Sequence, residues 1–174
     1  MFKQINWVER KFDFNFPVTV FPCTIERFRG TPARLEEMTK GLSEKTLIVK
    51  PDGKWSVKEQ IGHLLELEKL GEKRLDDFLA GAETLSAADM TNRATIEADY
   101  NSKQLNDILK EFRSARQSII SRLEKLDEKQ AAISSIHPRL NQKMRIIDWV
   151  YFMSEHDDHH LTSIRLIIES GIRN

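Results

Sequence analysis

Three of the chain's five histidines lie within residues 155–160, which read EHDDHH. Neutral imidazole is a common ligand of zinc and other divalent ions. On an α-helix, residues four apart differ in direction by about 40°, so His156 and His160 would lie on one face, a single turn apart. This spacing predicts that both side chains can bind the same metal ion.

The other polar residues of this segment suit such a site less well. His159 is about 60° from His156, on the side away from His160 and nearer the edge of the apolar face. Asp157 and Asp158 lie farther round the helix and are expected to face water. The order His-Asp-x-x-His resembles the His-Glu-x-x-His motif of metalloproteases, but aspartate is shorter than glutamate, so we infer no peptidase chemistry.

A credible metal site needs a third ligand, and His63 is the best candidate. It lies near Leu67 and Leu70 on the inward side of a long helical pattern, and helical bundles build metal sites from facing helices. The alternative is that His63 is a hydrogen-bonded core histidine. Glu59 and Glu66 lie near the same face and could supply a fourth ligand or support one, although a capping box explains Glu59 on its own.

The remaining candidates are a loop histidine and a lone cysteine. His137 precedes Pro138 and is expected in a loop. Cys23 is the only cysteine, which excludes an internal disulfide and agrees with a reducing compartment. A closed site of three histidines and Cys23 stays open as an alternative. An open site is favoured, because three neutral imidazoles leave a cation able to bind and polarise water or a thiol.

Four amphipathic regions are expected to position these residues. The first begins near Phe21 and is interrupted at residues 30–32, where Thr31 is expected as an N-cap and Pro32 as the first helical residue. Whether this region is one kinked helix or two short ones stays open. The second helix is expected to run from a capping box at residues 56–59 to about Ala80.

The other two regions complete a predicted all-α four-helix bundle. Apolar residues repeat at helical spacing over about 102–127 and 144–170, with Gly171 as the expected C-cap. Between the second and third helices, residues 81–100 lack a clear period and form a loop long enough to suggest a function. No linker divides the chain, so residues 1–174 are expected to form a single domain.

The N-terminal residues and the overall composition complete this prediction. In residues 1–20, Phe12, Phe14 and Phe16 alternate with polar residues, which favours an extended strap lying on the bundle over a sheet. The 27 basic and 27 acidic residues cancel, giving no general attraction to nucleic acid or anionic membranes. No segment approaches the roughly 20 apolar residues of a membrane span, and a cytoplasmic location is expected.

The sequence resembles the DinB-like superfamily of bacterial metal-binding four-helix bundles. The resemblance rests on residues 54–64 (KWSVKEQIGHL), 136–140 (IHPRL) and 155–161 (EHDDHHL), and it extends over nearly the whole chain from about residue 20. In that family, a histidine of the second helix joins the first and fifth residues of a His-x-x-x-His motif in the last helix. The resemblance therefore implies His63, His156 and His160 as metal ligands, with His159 as an extra histidine beside the motif.

The resemblance implies the fold more firmly than the activity. Some members resemble thiol S-transferases that use bacillithiol, mycothiol or glutathione, and others resemble metal-dependent hydrolases. The first hypothesis is therefore an enzyme in which a divalent ion (Zn, Ni or Mn) activates a small-molecule thiol that attacks an electrophilic substrate. The alternatives are a metal-dependent hydrolase and a metal-stabilised binding module without turnover. Related bundles are often dimers, and together with the aromatic strap this predicts a homodimer.

Overall fold

A computed structural model of the chain describes residues 4–172. Within them, eight α-helices and two β-strands follow one another along the chain. In order, they are α1 (Phe21–Arg29), α2 (Thr31–Thr39), α3 (Glu44–Ile48), α4 (Val57–Leu79), α5 (Arg93–Glu97), α6 (Leu105–Leu123), α7 (Glu128–Ala131), β1 (Ser134–His137), β2 (Gln142–Arg145) and α8 (Ile146–Ile172).

Four helical arms form the bundle: α1 with α2, then α4, α6 and α8. Helix α4 packs against α6 and α8, while α1 packs against α8 and α2 against α6. Their apolar faces bury two groups of side chains, one around Phe78 and Trp149 and the other around Leu64 and Phe112. The predicted all-α four-helix bundle is confirmed, with the addition of a small hairpin.

The first arm consists of two short helices separated by Gly30. Pro32 has no N–H to donate to the carbonyl oxygen of Phe28, so the helical ladder is interrupted there. Arg116 Nη1 donates to that Phe28 oxygen instead, at 2.6 Å. The prediction of Thr31 as an N-cap is wrong, because Gly30 occupies the cap position and the Thr31 hydroxyl donates to Asp157 Oδ2 at 2.7 Å.

The remaining arms lie close to their predicted ranges. The capping box of α4 is present: the Glu59 amide donates to Ser56 Oγ and the Ser56 amide donates to Glu59 Oε2. Helix α6 is shorter than predicted at both ends, since residues 100–102 form a 3₁₀ turn and the helix stops at Leu123. Helix α8 starts at Ile146 because residues 142–145 form a strand, and it continues past Gly171, which is therefore not its cap.

The hairpin of β1 and β2 was not expected from the sequence. The strands are antiparallel, with Ser135 opposite Met144, and β1 also forms a parallel bridge with Thr84. His137 is the last residue of β1 and is buried, so its assignment to a loop is wrong. The pairing depends on the distant segment 83–85, which local patterns do not reveal.

The strap expected at residues 1–20 is described from residue 4 onward. It contains 3₁₀ turns at Trp7–Glu9 and Val18–Val20 and is otherwise irregular. The alternation is visible in the structure, because Phe12, Phe14 and Phe16 are partly buried against the core while their neighbours are exposed. Arg145 Nη2 holds the strap by donating to the carbonyl oxygens of Phe14 and Phe16.

No helix within residues 4–172 combines the length and the apolar character that a membrane crossing requires.

Candidate metal centre

Helices α4 and α8 bring together the three histidines predicted as ligands. His63 lies in the second turn of α4, and His156 and His160 lie one turn apart on the buried face of α8. One ring nitrogen from each residue lies within 4.8 Å of the others. All three side chains are at least nine-tenths buried, with relative exposures of 6–7%.

Hydrogen bonds orient two of the imidazoles toward their common centre. The His160 Nδ1–H donates to Gln60 Oε1, an acceptor, so Nε2 of His160 carries a lone pair. That Nε2 lies 3.2 Å from Nε2 of His156. His63 Nδ1 is 3.2 Å from the hydroxyl of Thr95, which leaves Nε2 of His63 for a ligand. The Nδ1 of His156 has no partner among residues 4–172.

The three imidazoles are neutral at physiological pH. Burial lowers the pKa of His63 to about 4. Burial, followed by repulsion from neighbouring histidines, keeps the pKa values of His156 and His160 well below 6.5. A metal ion therefore meets lone pairs with no proton to displace near pH 7.

This donor set fits a divalent metal ion. Nitrogen ligands at about 2.1 Å in tetrahedral geometry lie about 3.4 Å apart, close to the observed separation between His156 and His160. Three protein ligands leave a coordination position open, as in catalytic zinc sites, whereas structural sites have four. The hydrogen bonds of Gln60 and Thr95 to the outer ring nitrogens are the usual support of ligating histidines.

Other residues considered from the sequence lie outside the cluster. Glu59 pairs with Lys50 and caps α4, and Glu66 accepts hydrogen bonds from Tyr100 and Lys69. Cys23 is exposed and does not belong to the cluster, so the geometry does not support a closed site of three histidines and a cysteine. His159 stands beside the cluster, where Gln4 Nε2 donates to its Nδ1 at 3.0 Å.

The expectation that Asp157 faces water is wrong. It is fully buried and pairs with Arg116, whose guanidinium group also binds Glu68. This cluster ties α4, α6 and α8 together, and its Asp157 is the residue that follows His156 in the chain. Asp158 is half-buried and pairs with arginines of the first arm. A helical-wheel estimate finds the apolar face, but it cannot identify a buried aspartate whose partner lies on another helix.

A cavity of about 520 Å³ adjoins the three imidazoles. The predicted loop 81–100 forms one wall of the cavity. The short helix α5 within this loop carries Thr95, whose hydroxyl contacts His63. Trp7 of the strap forms another wall, with its ring centroid 4.8 Å from that of His156. Most of the lining is apolar, and it includes Trp7, Trp55, Leu67, Leu70, Met90, Phe152 and Met153.

The fold and this cluster define a class of protein: four-helix bundles with a buried, open three-histidine centre. Comparison with known proteins specifies the family. The family model described as "DinB superfamily" matches residues 27–164, and the chain belongs to this superfamily.

The chain is also similar to two proteins from Bacillus subtilis. The uncharacterized protein YuaE is 24% identical in an alignment 152 residues long, which covers 93% of its length and 79% of this chain. YfiT, described as "a probable metal-dependent hydrolase with an unusual four-helix bundle topology", has a solved structure that matches with a TM-score of 0.80. The two chains are 18% identical, and 93% of each is covered, so this similarity supports the fold.

Proposed function

We propose that the protein is a divalent-metal-dependent enzyme in which a small-molecule thiol attacks an electrophilic substrate. His63, His156 and His160 would hold the ion, which, when bound, supplies Lewis acidity that favours the deprotonated form of a thiol. The observation that carries the proposal is the apolar cavity that opens directly onto these three neutral imidazoles.

The protein's own residues have defined roles in this proposal. Gln60 and Thr95 keep the imidazoles of His160 and His63 in a fixed orientation. The apolar walls bind the body of the substrate and exclude water, which strengthens electrostatic interactions at the reacting atoms. No side chain is required as a nucleophile, because the thiol sulfur itself bonds to the electrophilic atom of the substrate, while the thiol proton passes to solvent and the bond to the substrate's leaving group breaks.

Among the described residues that line the cavity, no carboxylate is free to act as a general base, which favours a thiol over water as the nucleophile. Activation of water generally uses a general base close to the metal. In the part of the chain that the structure describes, the only carboxylate lining the cavity is Asp89, which accepts hydrogen bonds from Thr91 and Arg93 in its own loop. His159 is also occupied, since Gln4 donates to Nδ1 and the proton therefore lies on Nε2.

Metal-dependent hydrolysis is the second candidate, supported by the similarity to YfiT, which is described as a hydrolase. The two candidates differ in their need for a thiol. Hydrolysis proceeds with water alone, whereas S-transfer requires consumption of a thiol in proportion to product. A binding module would show neither reaction.

Metal content tests the site itself. Purified protein equilibrated separately with zinc, nickel or manganese and then desalted should retain about one ion per chain for at least one metal, measured by elemental analysis. His156→Ala and His160→Ala should each lose that ion. His159→Ala is the matched control and should keep it; a greater loss for His159→Ala than for His160→Ala would contradict the ligand assignment.

Activity tests the reaction. The loaded protein is incubated with bacillithiol, mycothiol or glutathione and an electrophile such as monobromobimane, and loss of free thiol is followed. We expect metal-dependent conjugation that disappears after chelation and in His160→Ala. Conjugation unchanged by complete chelation would contradict the mechanism. Thiol-independent, metal-dependent cleavage of p-nitrophenyl esters would instead support the hydrolase.

A further inference from the structure

Three side chains with nitrogen donors line the cavity beside the metal centre: Arg74, His137 and Arg139. Arg139 Nη2 and His137 Nε2 are buried and have no hydrogen-bond partner among the described residues. Buried polar groups in folded proteins are nearly always paired, so a group of unpaired donors at one cavity requires an explanation.

His137 presents an N–H group to this cavity. The amide of Leu140 donates to His137 Nδ1 at 3.2 Å, so in the neutral ring the proton lies on Nε2. Burial, followed by the charges of Arg74 and Arg139, lowers the pKa of His137 to about 3. The imidazole is therefore neutral, and its free Nε2–H is a donor.

The two arginines lack the carboxylate partners that buried arginines usually have. Arg74 is 3% exposed, and its one side-chain hydrogen bond within residues 4–172 runs from Nε to the Ser86 carbonyl oxygen at 2.9 Å. Neither Arg74 nor Arg139 forms a salt bridge with a described acidic residue. The nearby Asp77 carboxylate accepts from the Ser86 amide instead.

A comparison within the same protein shows that this arrangement is specific to the cavity. The other deeply buried arginine, Arg116, is neutralised by Glu68 and Asp157. Beside the cavity, burial lowers the pKa of Arg74 to about 10, although the nearby Asp77 carboxylate acts to raise it, and the charge of Arg139 lowers it further. Two like charges thus lie close together, and within residues 4–172 neither forms an ion pair with a carboxylate.

We propose that Arg74, His137 and Arg139 bind the anionic head group, a carboxylate or a phosphate monoester, of the small molecule that occupies this cavity. Arginine is suited to both oxyanions, because its planar fork donates two parallel hydrogen bonds. The apolar body of the ligand then lies along Leu67 and Phe152, which line the same cavity.

This placement also brings the ligand to the histidines. The Trp7 ring lies 4.8 Å from the ring of His156 and 5.8 Å from the guanidinium carbon of Arg139, so one side chain contacts both ends of the site. The inference rests on the proposed function only in taking this cavity as the substrate site. Binding of the head group does not depend on which reaction follows.

Calorimetry with simple probes tests the inference. The zinc-loaded protein is titrated with 3-phenylpropionate, with phenyl phosphate and with the neutral 3-phenylpropanamide. We expect at least one anion to bind about tenfold or more tightly than the amide, since hydrogen bonds to charged groups are the stronger ones. The relative affinities of the two anions assign the head group. Binding should persist after chelation, because the arginines rather than the metal hold the anion.

Substitutions locate the binding site. Arg139→Met and Arg74→Met should each weaken anion binding about tenfold or more, and Arg139→Lys should restore part of it. Arg93→Met removes an exposed charge from the neighbouring helix and is the matched control, which should bind as the wild type does. Thermal unfolding without ligand establishes that each variant is folded; Arg139 is the less buried of the two, so its variant remains informative if Arg74→Met does not fold.

Three results would overturn the inference. They are equal affinity for the amide and the anions, unchanged anion affinity in Arg139→Met, and anion binding that vanishes on chelation of the wild-type protein. Failure of the proposed enzyme activity gives a different result, because anion binding would then persist in a protein that shows no turnover. If the wild-type protein keeps its metal ion but binds neither anion, this result contradicts the arginine site and leaves the proposed metal centre unaffected.

Discussion

In His63 and His160, the contact made by Nδ1 leaves Nε2 facing the common centre of the three imidazoles. Gln60 accepts from Nδ1 of His160, and Thr95 contacts Nδ1 of His63, so the site depends on residues that helical spacing did not identify. Gln60 lies three residues before His63 on α4, and Thr95 belongs to the long loop. The one sequence signal that could have indicated Gln60 is an amide side chain four residues after the capping Ser56, on the same face of α4.

Removal of the Gln60 acceptor is expected to weaken metal binding without unfolding the protein. In Gln60→Leu, Nδ1 of His160 loses its partner and the imidazole loses its fixed orientation, so zinc affinity should fall about 10–100-fold. Gln60→Glu keeps an acceptor oxygen and should bind zinc at least as well as Gln60→Leu. Exposed Gln117→Leu is the control. A competition titration with a zinc-binding dye measures all three; equal affinities for the wild type and Gln60→Leu would contradict the role.

The depressed histidine pKa values predict a pH dependence of stability in the metal-free protein. The pKa values of His63 and His137 are about 4 and about 3 in the folded chain, against about 6.5 when unfolded. Below pH 6.5 the unfolded chain therefore binds protons that the folded chain does not. Stability contributed by these groups is present above pH 6.5 and is lost as pH falls toward 4, by up to about 1.4 kcal/mol per pH unit for each group.

Urea unfolding in the presence of a chelator at pH 7, 6 and 5 measures this dependence. The free energy of unfolding should decrease across the series, and His63→Gln should show a shallower decrease because one of the groups is absent. A wild-type free energy that is constant between pH 7 and pH 5 would show that these imidazoles are not held neutral by the fold.

At the scale of the elements, sequence patterns predicted the parts whose information is local. The 3.6-residue period gave the arms of the bundle, and the capping residues gave the start of α4. The spacing of His156 and His160 correctly predicted their shared buried face. The β1–β2 hairpin and the burial of His137 and Asp157 depend on partners far along the chain, and neither has a local signature. Local periodicity therefore located the candidate ligands but not most of the groups around them.

Gly62 shows how close packing positions the ligand helix. A Cβ atom at this residue would lie 2.2 Å from the ring of Tyr100, which is 1% exposed and donates from its hydroxyl to Glu66. Helix propensity alone would make alanine about 1 kcal/mol more favourable than glycine. Since the added Cβ would overlap this buried ring, we expect Gly62→Ala to destabilise the protein by about 1–3 kcal/mol.

Chemical denaturation of Gly62→Ala and Gly30→Ala separates close packing from propensity. At Gly30 an added Cβ meets its nearest atoms at 3.5 Å, an ordinary contact, and the backbone is right-handed helical. Gly30→Ala should therefore be neutral or stabilising. A stabilised Gly62→Ala would mean that Tyr100 can move away from α4 at little cost.

For the whole molecule, the expected homodimer stays a prediction. The strap aromatics Phe12, Phe14 and Phe16 pack partly against the chain's own core, so a dimer must use additional surface. A stable interface generally buries about 800 Å² or more on each partner. Light scattering at micromolar concentration measures the mass directly; a value corresponding to 20.3 kDa would contradict the dimer.

Metal binding should also stabilise the whole bundle, because the ligands join α4 to the distant α8. An ion that binds only the folded state at about 100 times its Kd stabilises it by about 2.7 kcal/mol. For a chain of this length, each kcal/mol raises Tm by about 2–4 °C, so saturating metal should raise Tm by about 5–11 °C. The shift should vanish in His156→Ala and persist in His159→Ala, as measured by differential scanning calorimetry. An equal shift in His156→Ala would place the stabilising ion elsewhere, since the same free energy would then arise without the imidazole of His156.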